Sequence, residues 1–260
     1  MQTEQFHLHS RMEETHWWFT GRREILRRLV RQVLPHAGQT VLDIGCGTGG
    51  NLAAFAGEHR CLGWDPSEEA IRLARQSYPA IQFLSGSFDE AIASAPRNPD
   101  LILATDVLEH IEGDRAFLSK LVAAVRPGGH LLITVPAGME LWSPHDVSVG
   151  HVRRYDRAQL ERLWAGQPIS ASMVSYYNAR LYPAVRCVRF WTRRSGRAGG
   201  EAETDFRLPP APVNRLLNRI FAAEADVLVS LLQKKRRRGF RRGVSLIALL
   251  RKNEESSHGS

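Results

Sequence analysis

Between Val41 and Pro136, short apolar runs alternate with segments whose apolar residues recur every three or four positions. "TVLDIG", "RCLGWD", "IQFLSG", "PDLILATDV" and "HLLITVP" have the length and β-rich composition of buried strands. "GGNLAAFAGEH", "PSEEAIRLARQSY", "FDEAIASA" and "DRAFLSKLVAAV" read as the helices between them, and "RPGG" is a turn before the last strand of this series. Strands alternating with helices of this length predict βαβ units: an α/β fold, a mostly parallel sheet and helices on both faces. Ligands of such sheets bind beyond the carboxyl ends of the strands.

Upstream, "HWWFTGRREILRRLVRQVLP" predicts a helix with Ile25, Leu26, Leu29, Val30 and Val33 on one face, stopped by Pro35. Downstream, "DRAQLERLWAG" is a helix capped by Asp156, "ISASMVSYY" a strand and "GVSLIALLRK" the last strand. The expected organisation is a helical cap over 1–40, a core over 41–177, a basic helical insertion over 178–242, the core's last strand over 243–252 and a disordered tail over 253–260. Within the insertion, "SGRAGGEAETDFRLPPAP" reads as a mobile loop and "VNRLLNRIFAAEADVLVSLLQ" as one amphipathic helix.

Composition changes this picture little, but charge does. Residues 1–150 carry 13 Lys+Arg against 18 Asp+Glu, net −5, whereas residues 151–260 carry 22 against 9, net +13. The second part therefore calls for an anionic partner. "KKRRRGFRRG" suits nucleic acid, but the apolar helical face before it, with Tyr182, Phe190 and Trp191 among arginines, points to an anionic membrane surface. A lid over the site or a homodimer contact fits the same segment. No run is long and apolar enough to span a bilayer, and the first residues lack a secretory pattern, so the cytoplasm or the inner face of the membrane is expected. Cys46, Cys61 and Cys187 are too scattered for a disulfide framework.

Gly45, Gly47 and Gly50 follow the first strand as Gly-x-Gly-x-x-Gly, a weak pattern alone, compatible with several nucleotide-binding loops. Missing side chains let a ligand approach the backbone, and the following helix aims free N–H groups at it. Asp43 precedes the loop, and Asp65 ends the second strand, where a carboxylate accepts from both ribose hydroxyls. A nicotinamide dehydrogenase shares such a loop but needs a proton relay and a substrate clamp that no motif here supplies.

"VLDIGCGTG", "GWD", "GSF", "ATDVLEHI" and "VRPGGHLLITVP", in that order, resemble the motifs of class I S-adenosylmethionine-dependent methyltransferases. The resemblance implies a Rossmann-like, mostly parallel seven-stranded sheet and S-adenosyl-L-methionine as cofactor. It assigns Asp43, Gly45, Cys46, Gly47 and Gly49 to the methionine part, Asp65 and Pro66 to the ribose, Ser87 and Phe88 to the adenine, and Asp106 with Val107 to the methionine end. Ser87 stands where the family more often has an acid.

"EETHWWFTGRRE" is similar to the entry segment of quinone-biosynthesis methyltransferases, which implies that Arg22 meets the cofactor carboxylate and Trp18 the acceptor. Those enzymes also carry a Glu-x-x-Glu-His segment associated with a divalent ion. Here it is Asp106, Glu109 and His110, and no metal is expected: Asp106 serves the cofactor while Glu109 and His110 anchor the loop, with His110 beside the acceptor, and a divalent ion on the three is the lesser alternative. "LWSPHDVSVGHVRRYDRAQL" resembles a segment of bacterial methyltransferases encoded near glycan functions. Methylating a hydroxyl requires a base, for which His145 and His151 are candidates with Asp146 orienting one of them. Arg154 and Tyr155 would hold the acceptor. The expectation is O-methylation of a small-molecule, sugar or lipid-linked acceptor. An RNA methyltransferase and a non-catalytic cofactor-binding scaffold are the alternatives.

Overall fold

A computed structural model describes residues 3–94, 98–195, 200–201 and 204–254. The loop expected at 195–212 and the tail expected at 253–260 lie partly outside these residues.

Two helices precede the sheet, α1 (Thr3–Met12) and α2 (Trp17–Val33). Then follow β1 (Thr40–Ile44), α3 (Gly50–Ala53), β2 (Arg60–Trp64), α4 (Glu68–Ser77), β3 (Gln82–Leu84), α5 (Phe88–Ser94) and β4 (Leu101–Thr105). After a 3-10 turn at Leu108–His110 come α6 (Asp114–Ala124), β5 (His130–Pro136), α7 (Pro144–Ser148), α8 (Arg157–Arg162) and β6 (Ile169–Tyr177). The chain ends through α9 (Tyr182–Ser195), α10 (Ala211–Ala222), α11 (Ala225–Leu232) and β7 (Ser245–Lys252).

The sheet has seven strands in the order β3-β2-β1-β4-β5-β7-β6. The first five in that order pair in parallel, whereas β7 is antiparallel to both β5 and β6. Helices on both faces explain why β4 is buried along its whole length: Leu101 and Leu103 pack into one apolar cluster and Ile102 and Ala104 into the other. Two apolar clusters, one on each face, form the core. Parallel pairing brings the carboxyl ends of β1, β2 and β4 to one edge, where Ile44, Trp64 and Thr105 are followed by the glycine loop, Asp65 and Asp106.

Two elements differ from the sequence expectation, while α1 lies inside the helical cap expected over 1–40. α1 has no strong apolar period yet buries Gln5, Phe6, Leu8 and Met12, because tertiary contacts, among them those with α4, stabilise it. α3 stops after Ala53, where i→i+3 bonds from Ala54 and Phe55 turn the chain. The long helix expected at 213–233 is two helices, because Glu224 turns inward and accepts from the Ala179 and Arg180 backbone N–H groups, both at 2.8 Å.

Candidate functional site

Over this edge lies a cavity of 810 Å³, floored by the strand ends and roofed by α1, α2, α9 and α10. The glycine loop forms one wall. Gly45 has φ +70°, and a Cβ there would stand 2.6 Å from Val107. Gly47, at φ +55°, has no atom within 4 Å of its would-be Cβ; here the absent side chain leaves space for a ligand. Gly49 is held differently: at φ +89° its Cβ would sit 2.8 Å from Phe83, so packing forbids a side chain there, and it does not line the cavity.

Beneath the loop, Asp43 is fully buried and neither carboxylate oxygen has a hydrogen-bond partner. Burial, opposed by Arg22 and reinforced by Asp65, pushes its pKa up to about 8. Asp65 accepts from Gly47 N–H and from Ser67 N–H, each at 2.9 Å, which fixes the loop against the end of β2. Cys46, Pro66 and Val107 line the same space, and burial raises the Cys46 thiol well above its ordinary value, so it stays protonated. Asp106, in the left-handed region at φ +58°, accepts from the Thr134 hydroxyl at 2.9 Å and pairs with Arg22, whose guanidinium stacks on Trp18 at 4.1 Å. In this structure Arg22, expected on a ligand carboxylate, is held by Asp106; both line the cavity.

The two residues expected beside the adenine, Ser87 and Phe88, lie at the edge of the site rather than in the cavity wall. Ser87 is exposed and caps α5, accepting from Glu90 N–H at 3.2 Å, and Phe88 packs against Trp64 and Phe117 with ring centroids 5.6 and 4.8 Å apart. Neither lines the cavity; Trp64, Ile111 and Phe117 do. Tyr155 stands outside the cavity wall as well. It lies in the apolar core, its hydroxyl 2.8 Å from Asp114 Oδ2 and 3.1 Å from the Leu108 carbonyl, and does not line the cavity.

The histidines separate by their partners. His145 Nδ1 accepts from Asp205 N–H at 3.1 Å, so that nitrogen's lone pair is engaged and Nε2 carries the ring proton of the neutral form. Burial, then Arg189, lowers its pKa well below the ordinary value. It lines the cavity as a neutral ring that has no free base nitrogen. His151 Nδ1 lies 2.9 Å from Asp146 Oδ1. Burial raises Asp146, but the bond from His151 and the charges of Arg154 and Arg189 outweigh it, and the carboxylate stays ionised. Against this acceptor His151 holds its proton on Nδ1 and leaves the Nε2 lone pair for the cavity. Arg154 lines the cavity too, but its Nε donates to Asp146 at 2.7 Å and its Nη1 to the Ala137 carbonyl at 3.0 Å, so its charge is spent on this hub rather than on a free acceptor.

Glu109 is fully buried with both oxygens unpartnered, and burial with Asp106 nearby raises it well above the carboxylate range. His110 Nδ1 lies 3.1 Å from the Gly150 carbonyl, and burial lowers its pKa to about 4. The donor atoms of Glu109, His110 and His151 lie within 4.8 Å of one another; Asp106, expected in such a set, belongs to Arg22 instead. A tetrahedral ion with ~2.1 Å bonds needs donors ~3.4 Å apart. His151 Nε2 is 3.7 Å from Glu109 Oε1, so these three donors could hold a divalent ion only after a small inward shift, and without Asp106.

Several residues were not legible from spacing. Glu13 of the cap accepts from the Thr48 hydroxyl at 2.7 Å, and burial pushes it up to about 7. Arg189 of α9 donates to Asp146 at 2.9 Å and pairs with Asp205 at 2.9 Å. Phe206 stacks among His9, His16, Phe19 and His145.

The family described as "Methyltransferase domain" matches residues 18–167. A probable S-adenosylmethionine-dependent methyltransferase of Mycolicibacterium smegmatis is 26% identical over 65% of this chain and 66% of its own length. A ubiquinone biosynthesis O-methyltransferase of Thiobacillus denitrificans is 32% identical over 36% of this chain and 43% of its own. The chain thus aligns with about two thirds of the first and under half of the second. A SAM-dependent methyltransferase from Archaeoglobus fulgidus shares the fold, with a TM-score of 0.51 at 17% identity over 88% of this chain and 94% of that one.

Proposed function

The chain belongs to the class I S-adenosylmethionine-dependent methyltransferase family, and on that premise we propose that it methylates a hydroxyl of a small-molecule, sugar or lipid-linked acceptor. When bound, S-adenosylmethionine supplies a methyl carbon that its sulfonium has already activated, so the protein's work is positioning and proton removal. The site suits that cofactor: Gly47 leaves open space, Asp65 lines the cavity at the end of β2, and Asp43, buried beneath the loop, keeps two oxygens without a partner. In this reading Asp65 accepts from the ribose hydroxyls, Asp43 and Asp106 face the amino-acid end, and Arg22 meets its carboxylate.

The observation that carries the hydroxyl assignment is the pairing of His151 with Asp146. Transfer to a hydroxyl would exchange the methyl carbon's bond to sulfur for one to oxygen, leaving the cofactor as a neutral thioether; the hydroxyl proton would go to His151 Nε2, with ionised Asp146 stabilising the imidazolium. His145 and Arg154 shape the pocket around that base. Apolar side chains at Trp17, Trp18, Phe206, Val185 and Leu217 favour an acceptor with a hydrophobic part. RNA is disfavoured because the cationic run 234–242 contributes nothing to the cavity; Phe240 instead bridges to Tyr176 at the β6 edge.

The test is incubation of labelled cofactor with a cell extract and either the native protein or His151→Ala. The expected outcome is an O-methylated product that the variant forms ~10²–10⁴-fold more slowly. Label on nitrogen or carbon, or equal rates, overturns the reading.

A further inference from the structure

We propose that α9 seats the protein on an anionic lipid surface with the mouth of the cavity at the headgroup layer, so that a lipid-borne acceptor enters directly. This rests on the cavity being the acceptor's site. Among the described residues the exposed phenylalanine and tryptophan are adjacent on α9: Phe190 is 54% exposed and Trp191 65%. Val188, 56% exposed, continues this apolar arc and also lines the cavity, as do Ala184 and Val185. Leu217 of α10 lines the same cavity, and its neighbours Val213 and Leu216 are exposed. The lip of an apolar cavity is therefore itself apolar on two helices.

Charge selects the occupant. α9 contains no acidic residue, and Arg186, Arg193 and Arg194 are exposed on it, with the Arg194 guanidinium 5.9 Å from the Phe190 ring centroid. Arginines beside aromatic and aliphatic side chains match a headgroup layer, in which the rings sit at the acyl boundary and the guanidinium groups meet lipid phosphates. Single-stranded RNA would satisfy the arginines and the rings, but it offers nothing to cover Val188, Val213 and Leu216. The cationic run 234–242 lies against β6 and takes no part in this lip.

The experiment is co-sedimentation of the full chain with phosphatidylcholine vesicles and with vesicles also containing phosphatidylglycerol. Variants are Phe190→Ser with Trp191→Ser, Arg193→Glu with Arg194→Glu, and, as a control, Arg237→Glu with Arg238→Glu. Native protein should sediment with the anionic vesicles, and each α9 variant should partition about tenfold more weakly or worse, while the control binds as the native chain does. Failure of native protein to bind, α9 variants binding normally, loss of binding in the control, or displacement from vesicles by a single-stranded oligonucleotide overturns the proposal. Vesicle binding requires neither cofactor nor acceptor. A protein that binds vesicles but yields no heat with S-adenosylmethionine would sink the functional reading and leave the docking surface standing, whereas heat without vesicle binding does the reverse.

Discussion

Asp146 illustrates how one side chain decides both stability and chemistry. Its two oxygens serve His151, Arg154, Arg189 and the Ser143 N–H, all in a setting where the carboxylate itself is fully buried. Asp146→Ala leaves buried Arg154 and Arg189 without their shared partner, and a loss of about 3–5 kcal/mol is expected in urea unfolding. Asp43 gives a pH signature. Its folded pKa of about 8 lies above the ordinary carboxylate value, so between pH ~4 and ~8 the folded chain holds a proton that the unfolded chain has released. That contribution to stability is fully present at the acid end of the window and is lost as pH rises through it. Thermal melts of ligand-free Asp43→Asn should therefore show a flatter decline across the window than the native protein; identical slopes would refute the assignment. Asp43, Asp65 and His151 were legible because each belongs to a local pattern at a strand end or in a polar rim. Glu13 and Arg189 were not, because the groups that define them, Thr48 and Asp146, lie far along the chain, and single-sequence reading carries no distances. Nor did spacing show that Ser87 caps its own helix, accepting from Glu90 N–H.

At the scale of elements, the βαβ alternation was legible because parallel strands buried on both faces leave continuous apolar runs. The short α3 and the break between α10 and α11 were not, since each depends on a bond that apolar period cannot register. The packing of α2 on α10 is the contact most open to test. A Cβ on Gly21 would stand 2.7 Å from the ring of Phe221, which is itself fully buried and stacks on Tyr177 at 5.8 Å. Phe221→Ala should cost about 3–5 kcal/mol by leaving a cavity between the helices and the sheet. Gly21→Val should also destabilise, by overpacking, and a double variant carrying both changes should recover part of the loss; simple additivity in chemical denaturation would show that the two positions do not share this contact.

For the molecule as a whole, the expected division into cap, core and insertion follows the order of residues but not the way they are assembled. Asn214 accepts from Trp17 N–H at 2.9 Å and donates to the Thr15 carbonyl at 2.7 Å, His16 lies 3.2 Å from the Arg207 carbonyl, and Phe206 fills the space between His9 and Phe19. Among the described residues no helix is long and apolar enough to cross a membrane. Because the bonds of Asn214 and His16 tie the two parts of the roof to each other, cofactor should stabilise both together. At a hundredfold excess over its dissociation constant the gain is about 2.7 kcal/mol. Hydrogen exchange should slow in residues 3–33 and 204–222 in parallel; protection confined to one of them would contradict a shared roof. The interlocking also has a practical corollary for engineering. Because two stretches distant in the polypeptide, 3–33 and 204–222, knit a single ceiling, grafting a relative's acceptor preference onto this scaffold means exchanging both portions as a matched pair, and a chimera that swaps one alone inherits a seam of mismatched rings and unanswered amides.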